Sequence, residues 1–309
     1  MTASNTEIEQ SCPMCRGSLE PHTSDVHDAN SGEGFSIEYC SGCGVGVTVP
    51  APRRVEAYYR ERYYGNRHGF TRGLCVWRRR RLVDRHIQAG DSGRLLDVGS
   101  GEGDFLHAAG SAGWNAAGVE IHDRPHDGKH PVFRSLDEAA ARGPYHCITL
   151  WHVLEHVPDP AAYVKRLGSM LTSHGVLVLA VPDFGGAQAR VFGRHWLHLD
   201  VPRHLHHFTA GGVVQLLESA GFTVLRTAHQ ELEYDWFGWI QSALNSVMDT
   251  PNVLFDSLTG KPPRVGRLRV AACYAVASLL ALPALALTTA SSLAGRGGTV
   301  LVAARPKPR

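Results

Sequence analysis

From Arg94 to its end, the chain alternates short β-branched runs with helix-like segments, and this alternation restricts the fold more than any other feature. Strands that alternate with helices form a sheet with helices packed against its faces. The 309 residues, 43% of them hydrophobic, are enough for a sizeable core. The sequence therefore predicts an α/β fold with seven strands: RLLDVG, AAGVEI, PVFRS, CITLW, GVLVLAV, FTVLRTA and TVLVAAR.

Composition divides the chain into three regions. Residues 1–50 hold four of the seven cysteines, residues 51–93 form an Arg- and Tyr-rich segment that we expect to be a helical lid or linker, and residues 94–309 form the α/β domain. An apolar helical insertion is expected at about 236–296, before the last strand. The N-terminus lacks the apolar run of a secretory signal, and seven cysteines are too few for a disulfide scaffold, so we expect a cytoplasmic protein.

The four N-terminal cysteines occur as two C-x2-C pairs, CPMC and CSGC, separated by the stretch from Arg16 to Tyr39. Each pair presents two thiolates from a tight turn, and two such turns complete a tetrahedron around Zn²⁺. We predict a structural zinc ribbon with the ligands Cys12, Cys15, Cys40 and Cys43. A disulfide or a catalytic thiol is the alternative. Cys75, Cys147 and Cys273 are predicted to be buried as small apolar side chains.

A glycine-rich loop follows the first strand of the α/β region, in LLDVGSGEG. A dinucleotide fold requires G-x-G-x-x-G, but Asp104 follows Gly103, and no Gly-Lys-Ser/Thr of a phosphate-binding loop is present. Asp97 belongs to the first strand and Glu120 ends the second, where a carboxylate can accept hydrogen bonds from both ribose hydroxyls. The pattern thus indicates a ligand that contains a ribose but no pyrophosphate.

Three ordered motifs resemble class I S-adenosylmethionine-dependent methyltransferases of the type-11/12/23 group, over about residues 60–305. They are D-x-G-x-G-x-G, LWHVLEHVPDP and HHFTAGGVVQLLESAGF. The resemblance implies a methyltransferase with a Rossmann-like seven-stranded sheet whose last strand is antiparallel, and S-adenosylmethionine as cofactor. It assigns the methionine portion to Asp97, Gly99, Ser100 and Gly101, the ribose to Glu120, the adenine to Ser135 and Leu136, and one wall to Trp151.

The adenine assignment departs from the family pattern, because FRSLDEA stands where relatives usually have an acidic residue. Tyr63 and Tyr64 resemble an element that closes over the cofactor in some relatives. As an alternative, they are packing aromatics of a helix.

Two histidine sets are candidates for the chemistry. His152, Glu155 and His156 fall on one face of a helical turn and could bind a divalent metal, as ubiquinone-pathway O-methyltransferases are thought to do with a similar segment. Alternatively, Glu155 and His156 satisfy each other and His152 faces the substrate. The second set lies in VPRHLHHF, which resembles sugar C-methyltransferases that also have an N-terminal four-cysteine zinc region. That resemblance makes His204 the general base, with His152 as the second candidate.

The acceptor class stays open between a small molecule, a nucleotide sugar and a lipid-linked molecule. One alternative is a ubiquinone-pathway-like O-methyltransferase at the membrane surface. Another is a zinc-ribbon enzyme that modifies nucleic acid, with the Arg78–Arg81 run on phosphates. The net charge of +2 and the single basic residue between Cys12 and Cys43 disfavour it. The complete cofactor loop disfavours an inactive binding scaffold.

The segment from Val270 to Leu293 carries no charge and is long enough for one helix to span a bilayer. Strands of one sheet flank it on both sides, which excludes a single crossing. Because Pro283 breaks helices, we expect two short helices in a hairpin that reaches one leaflet, with basic residues at both ends. The alternatives are that the segment covers the protein's own sheet or the partner of a homodimer.

Overall fold

The structure is a computed structural model, and it describes residues 11–59, 71–87, 93–122, 126, 128–229 and 231–308. Tyr63 and Tyr64 lie outside the described residues. The strands are β1 Glu20–His27, β2 Gly34–Cys40, β3 Val45–Val49, β4 Arg94–Val98, β5 Asn115–Val119, β6 Val132–Phe133, β7 Tyr145–Trp151, β8 Leu171–Pro182, β9 His206–Phe208, β10 Phe222–Ala228 and β11 Thr299–Pro306. The α-helices are α1 Arg72–Asp84, α2 Asp104–Ser111, α3 Leu136–Ala140, α4 Pro160–Met170, α5 Ala187–Phe192, α6 Ala210–Ser219, α7 Leu232–Val247, α8 Val253–Leu258 and α9 Arg267–Leu293.

Seven strands form the central sheet in the order β10-β11-β8-β7-β4-β5-β6. Only β11 runs against its neighbours, since its pairings with β8 and β10 are antiparallel and the others are parallel. All seven predicted strands are present, and the predicted α/β Rossmann-like sheet of seven strands with an antiparallel last strand is confirmed. Strands β7 and β8 lie at its centre and are almost wholly buried, as their continuous apolar runs require.

The N-terminal region forms a second sheet in the order β1-β2-β3-β9. Its last strand comes from the α/β region, because β9 pairs with β3 through Val45–Phe208 and Val47–His206. The Thr48 hydroxyl also donates a hydrogen bond to the backbone carbonyl of His204, at 2.6 Å. The sheet therefore crosses the boundary expected near residue 50.

Helix caps place the helices that lie beside the site. Asp159 caps α4 by accepting a hydrogen bond from the backbone N–H of Ala162, and Pro160 occupies the first turn, where its missing N–H costs nothing. Thr209 caps α6 in the same way, from the N–H of Gly212. Both helices thus begin immediately after segments that contain site histidines.

The apolar segment before the last strand is one continuous helix, α9, of 27 residues. The predicted hairpin with a break at Pro283 is therefore wrong. An interior proline costs a helix about 3 kcal/mol, and the surrounding Ala and Leu residues, together with packing against α7 and α8, offset that cost. By length and composition alone α9 could cross a membrane, and only 11% of its most apolar window is buried.

Candidate active site

The candidate site lies along one edge of the central sheet, where the parallel strands end. Strand β4 leads into the glycine loop, and Glu120 directly follows β5. Strand β7 ends at Trp151 and is followed by His152, and Glu231 comes shortly after β10. Because β10 runs parallel to β4, β5 and β7, all four carboxyl ends meet at this edge. Ligands of open α/β sheets bind at the carboxyl ends of the strands.

The glycine loop is fixed by its backbone and by Glu120. Gly99 has φ +74°, and a Cβ there would lie 2.4 Å from a methyl carbon of Val153, so only glycine fits. The Glu120 carboxylate accepts hydrogen bonds from the backbone N–H of Gly101 at 2.9 Å and of His122 at 3.0 Å. The loop therefore wraps around a carboxylate that still has lone pairs for a ligand hydroxyl.

Asp97 lies at the carboxyl end of β4 and is completely buried. It accepts a hydrogen bond from the Thr149 hydroxyl at 2.6 Å, and burial raises the pKa of Asp97 to about 7. Nearby, the Ser100 hydroxyl and the indole N–H of Trp151 are buried without a hydrogen-bond partner among the described residues. Buried polar atoms normally have partners, so these two atoms indicate that a polar ligand completes the site.

The remaining residues assigned to the cofactor have structural contacts of their own. The Trp151 ring packs edge-on against Phe105 at 5.4 Å, and the Arg79 guanidinium lies 4.9 Å from its centre. The Ser135 hydroxyl caps α3 by accepting a hydrogen bond from the N–H of Glu138, and Leu136 is the first residue of that helix. Since the Ser135 hydroxyl already caps α3, any adenine contact at this position comes from the backbone or from Leu136.

His152 belongs to a buried chain of charges. Its Nε2 lies 2.6 Å from one oxygen of Glu231, and the other oxygen of Glu231 accepts hydrogen bonds from Arg79 at 2.9 and 3.1 Å. Burial disfavours the charged imidazole, but Glu231 and Glu155 outweigh burial and raise the pKa of His152 to about 9. His152 also has φ +56°, which is rare for a non-glycine residue, and its ring stacks on Tyr234 at 4.5 Å.

Glu155 is 1% exposed and lies among three histidines. Its Oε1 is 3.5 Å from Nδ1 of His152 and 3.9 Å from Nε2 of His204, and neither of its oxygens has a hydrogen-bond partner in the described part of the chain. Burial alone would raise the pKa of Glu155, but the neighbouring imidazoles hold it below its ordinary value. Ligand atoms of Glu155, His156 and His204 lie within 4.8 Å of one another, close enough to share a cation.

His204 is buried beside this carboxylate and has a defined tautomer. Its Nδ1 lies 2.9 Å from the backbone carbonyl of His198, so Nδ1 donates and Nε2 keeps its lone pair. Burial lowers the pKa of His204 below its ordinary value. Nε2 lies 3.9 Å from a carboxylate oxygen of Asp200 and 3.9 Å from one of Glu155. A proton taken up by Nε2 would therefore lie close to two carboxylates.

The four N-terminal cysteines come together at the end of the N-terminal sheet, β1-β2-β3-β9. The Cys12 and Cys43 sulfurs are 3.5 Å apart, those of Cys15 and Cys40 are 3.4 Å apart, and all four lie within 4.8 Å of one another. Zn–S bonds of about 2.3 Å in a tetrahedron require sulfur separations of about 3.8 Å. The cluster therefore has the size of a four-thiolate metal site. The other three cysteines are buried, as predicted.

Sequence reasoning missed the residues that hold the two histidines. Arg79, Glu231 and Tyr234 fix the His152 ring, and His198 sets the tautomer of His204. One signal was available in the sequence. Glu231 follows FTVLRTA, the predicted strand that is β10 in the structure, and the carboxyl end of this strand must lie at the same edge of the central sheet as His152. Arg78 likewise pairs with Glu233, so half of the Arg78–Arg81 run is used inside the protein.

The chain is similar in sequence to known methyltransferases. A family model described as a methyltransferase domain matches residues 69–227, just over half of the chain. The ubiquinone biosynthesis O-methyltransferase of Xanthomonas campestris pv. campestris (strain B100) is 28% identical over 155 residues, which are 45% of this chain and 63% of that protein. The protein of the same name from Aromatoleum aromaticum (strain DSM 19018 / LMG 30748 / EbN1) is 26% identical over 142 residues, 41% of this chain and 60% of its own length.

The match thus spans less than two thirds of the length of these relatives. Among solved structures, a SAM dependent methyltransferase from Archaeoglobus fulgidus is 17% identical, with a TM-score of 0.46, over 76% of this chain and 94% of that one. A putative S-adenosylmethionine dependent methyltransferase from Listeria monocytogenes is 13% identical, with a TM-score of 0.43, over 76% of this chain and all of that one.

Proposed function

This chain belongs to the methyltransferase-domain family and is an S-adenosylmethionine-dependent methyltransferase, and from that premise we propose that His204 removes the proton of the acceptor that becomes methylated. The observation that supports this role is the state of its imidazole. Nδ1 donates to a backbone carbonyl, burial favours the neutral ring, and Nε2 is left as a proton acceptor beside Glu155 and Asp200.

The residues at the sheet edge fit the cofactor. The Glu120 carboxylate suits two ribose hydroxyls, and the unsatisfied Ser100 hydroxyl and Trp151 N–H are buried beside the loop. When bound, S-adenosylmethionine supplies a methyl group that is already activated on a sulfonium sulfur. The protein then has two tasks, which are to align the acceptor and to remove its proton.

The two candidate histidines differ in charge, and this difference favours His204 as the base. His152 is held as a cation by Glu231 and Glu155, so it has no lone pair with which to accept a proton at neutral pH. His152 can instead donate a hydrogen bond or attract a developing anion on the acceptor. When Nε2 of His204 takes up the proton, Glu155 and Asp200 stabilise the imidazolium, as the carboxylate does in a His–Asp pair.

We further propose that Cys12, Cys15, Cys40 and Cys43 bind one structural zinc ion. Four thiolates leave no open coordination position, so such an ion would not take part in chemistry. Its role would be to hold the turns at the end of the sheet that β9 completes.

For the acceptor, the exposed apolar helix α9 favours a lipid-linked molecule at a membrane surface over a soluble nucleotide sugar. The relatives named for ubiquinone biosynthesis are consistent with this choice, although the match spans only part of their length. Both ends of α9 connect to the same folded unit, through α8 and β11, so the helix would lie along a membrane rather than cross it.

Calorimetry with S-adenosylmethionine tests the cofactor assignment. Glu120→Ala removes a charged acceptor of two hydrogen bonds, which is worth about 1.5–3 kcal/mol and thus roughly tenfold or more in Kd. A screen for S-adenosylhomocysteine release over soluble phenols, nucleotide sugars and lipid-linked glycans then tests the reaction. Unchanged cofactor affinity in a folded Glu120→Ala protein would refute the assignment.

A further inference from the structure

A cavity lies between α7, α8 and α9. Its volume is about 370 Å³, within the range of small-molecule sites. Most of its wall is apolar, and it includes Phe237, Ile240, Leu254, Leu258, Ala277 and Ala281. A cavity with this lining selects for a hydrocarbon, since it offers few polar groups to replace the hydration of a sugar or a nucleotide.

One end of the cavity reaches the residues that fix the candidate base. His198 and Tyr234 both line it. The backbone carbonyl of His198 accepts the hydrogen bond from His204, and the Tyr234 ring stacks on His152. Neither His204 nor His152 lines the cavity itself, so a head group at this end would have to extend past His198 and Tyr234 to reach them.

The cavity wall reaches the surface at α8 and α9, because Leu258 and Tyr274 line the cavity and are 45% and 41% exposed. On its other faces, α9 presents Leu279 and Leu282, which are 78% and 77% exposed. The helix that forms one wall of the cavity thus also carries an exposed apolar surface that water does not favour.

We propose that this cavity holds the hydrocarbon chain of a membrane lipid whose head group is the methyl acceptor at His204. This inference rests on the proposed function and adds the site that would hold the hydrocarbon chain of the acceptor. The chain would enter between α8 and α9 directly from the lipid layer, so that it leaves the bilayer without crossing water. Burial of each methylene is worth about 0.8 kcal/mol, which corresponds to about fourfold in affinity.

The test uses the full-length protein and a fluorescent probe, dodecanol carrying a nitrobenzoxadiazole label. We expect saturable binding of one probe per chain. Ala277→Trp fills the cavity and should weaken binding at least tenfold, whereas Ala275→Trp, on the exposed side of the same helix, should leave it within twofold. Thermal melting and S-adenosylmethionine calorimetry on both variants check that the fold is intact.

A second measurement needs no variant. Unlabelled alcohols of six to fourteen carbons, used as competitors against the wild-type protein, should bind about fourfold more tightly per added methylene until the cavity is full. Absence of saturable binding, or equal weakening by both tryptophan variants, would overturn the inference. If the probe fails to bind while the protein still methylates a water-soluble acceptor, the cavity proposal falls and the proposed function stands. If the probe binds as expected but His204→Ala retains full turnover, the role of His204 falls instead.

Discussion

At the scale of single residues, the site holds its two candidate histidines in different charge states, one protonated and one neutral. His152 lies against the ionised Glu231, which Arg79 holds in place, and it stays protonated. His204 lies further from its neighbouring carboxylates than His152 does, and its only N–H donates to the backbone carbonyl of His198. Burial is therefore the largest effect on its pKa and keeps the ring neutral. This division was not predicted, because the strand order places Glu231 and His152 at the same edge of the sheet but does not show that their side chains pair at 2.6 Å.

The first prediction concerns the base. His204→Ala should lower turnover by about 10²–10⁴-fold, the usual contribution of general base catalysis, and leave S-adenosylmethionine affinity within about threefold. His204→Gln is the matched control, since its amide can keep a hydrogen bond to the His198 carbonyl but cannot accept the proton. Kinetics and calorimetry on the same preparations separate the two effects. If His152→Gln abolishes turnover and His204→Ala does not, the roles are reversed.

The second prediction is a pH dependence of cofactor binding. Burial raises the pKa of Asp97 to about 7, so its carboxyl is protonated below pH 7 and ionised above it. A cationic ligand prefers the ionised form, and S-adenosylmethionine should therefore bind more tightly as the pH rises from 6 to 8, with little change beyond. Calorimetry across this range should show proton release near pH 7. Asp97→Asn should bind more weakly at pH 8 and lose this dependence; the same slope in Asp97→Asn would assign it to another group.

At the scale of elements, the sequence predicted the central sheet well and α9 poorly. Strands such as GVLVLAV are buried on both faces, so their apolar runs are unambiguous. The local effect of Pro283 predicts a break in the helix, whereas tertiary packing favours a single helix. Cys273, Ala284 and Thr288 are buried on one stripe of α9, and this stripe packs the unbroken helix against its neighbours. Such packing cannot be predicted from the sequence of α9 before the positions of the neighbouring helices are known.

The third prediction follows from that helix. Pro283 is exposed inside α9, so Pro283→Ala removes no buried contact and restores one backbone donor. We expect the free energy of unfolding to rise by about 1–3 kcal/mol, up to the full helix-interior penalty of proline. Urea titration measures it, with Pro160→Ala as the control, because Pro160 occupies the first turn of α4 and no gain is expected there. A loss of stability in Pro283→Ala would mean that α9 requires a bend at this position.

The fourth prediction concerns the exposed face of the same helix. We expect the intact protein to float with vesicles of phosphatidylcholine and phosphatidylserine. A variant with serine at four exposed leucines should stay at the bottom of the gradient; these are Leu279, Leu282, Leu285 and Leu287. Val191→Ser/Leu225→Ser removes exposed apolar side chains elsewhere and should float like the wild type. If the intact protein does not float, α9 is covered by protein instead.

At the scale of the whole molecule, the cysteine region and the methyltransferase sheet are connected through the segment of His204. Strand β9 starts shortly after His204 and completes the N-terminal sheet, and Thr48 of that sheet donates to the carbonyl of His204. Sequence patterns predicted the cysteine cluster, because its ligands are local pairs. They could not predict this connection, since the short strand His206–Phe208 has no recognisable alternation and its partner, β3, lies far earlier in the chain.

The last prediction uses this connection. Cys40→Ser should remove the zinc, and because the turns at the end of the sheet then loosen, β9 and His204 should lose their fixed position. We expect turnover to fall at least tenfold while S-adenosylmethionine affinity stays within about threefold, since Glu120 and the glycine loop belong to the other sheet. Cys273→Ser, a buried cysteine outside the cluster, is the control and should keep both zinc and turnover. Metal analysis, calorimetry and kinetics on each variant decide the outcome. Full zinc content in Cys40→Ser would exclude this ligand set, and zinc loss with unchanged turnover would show that His204 does not depend on the N-terminal sheet.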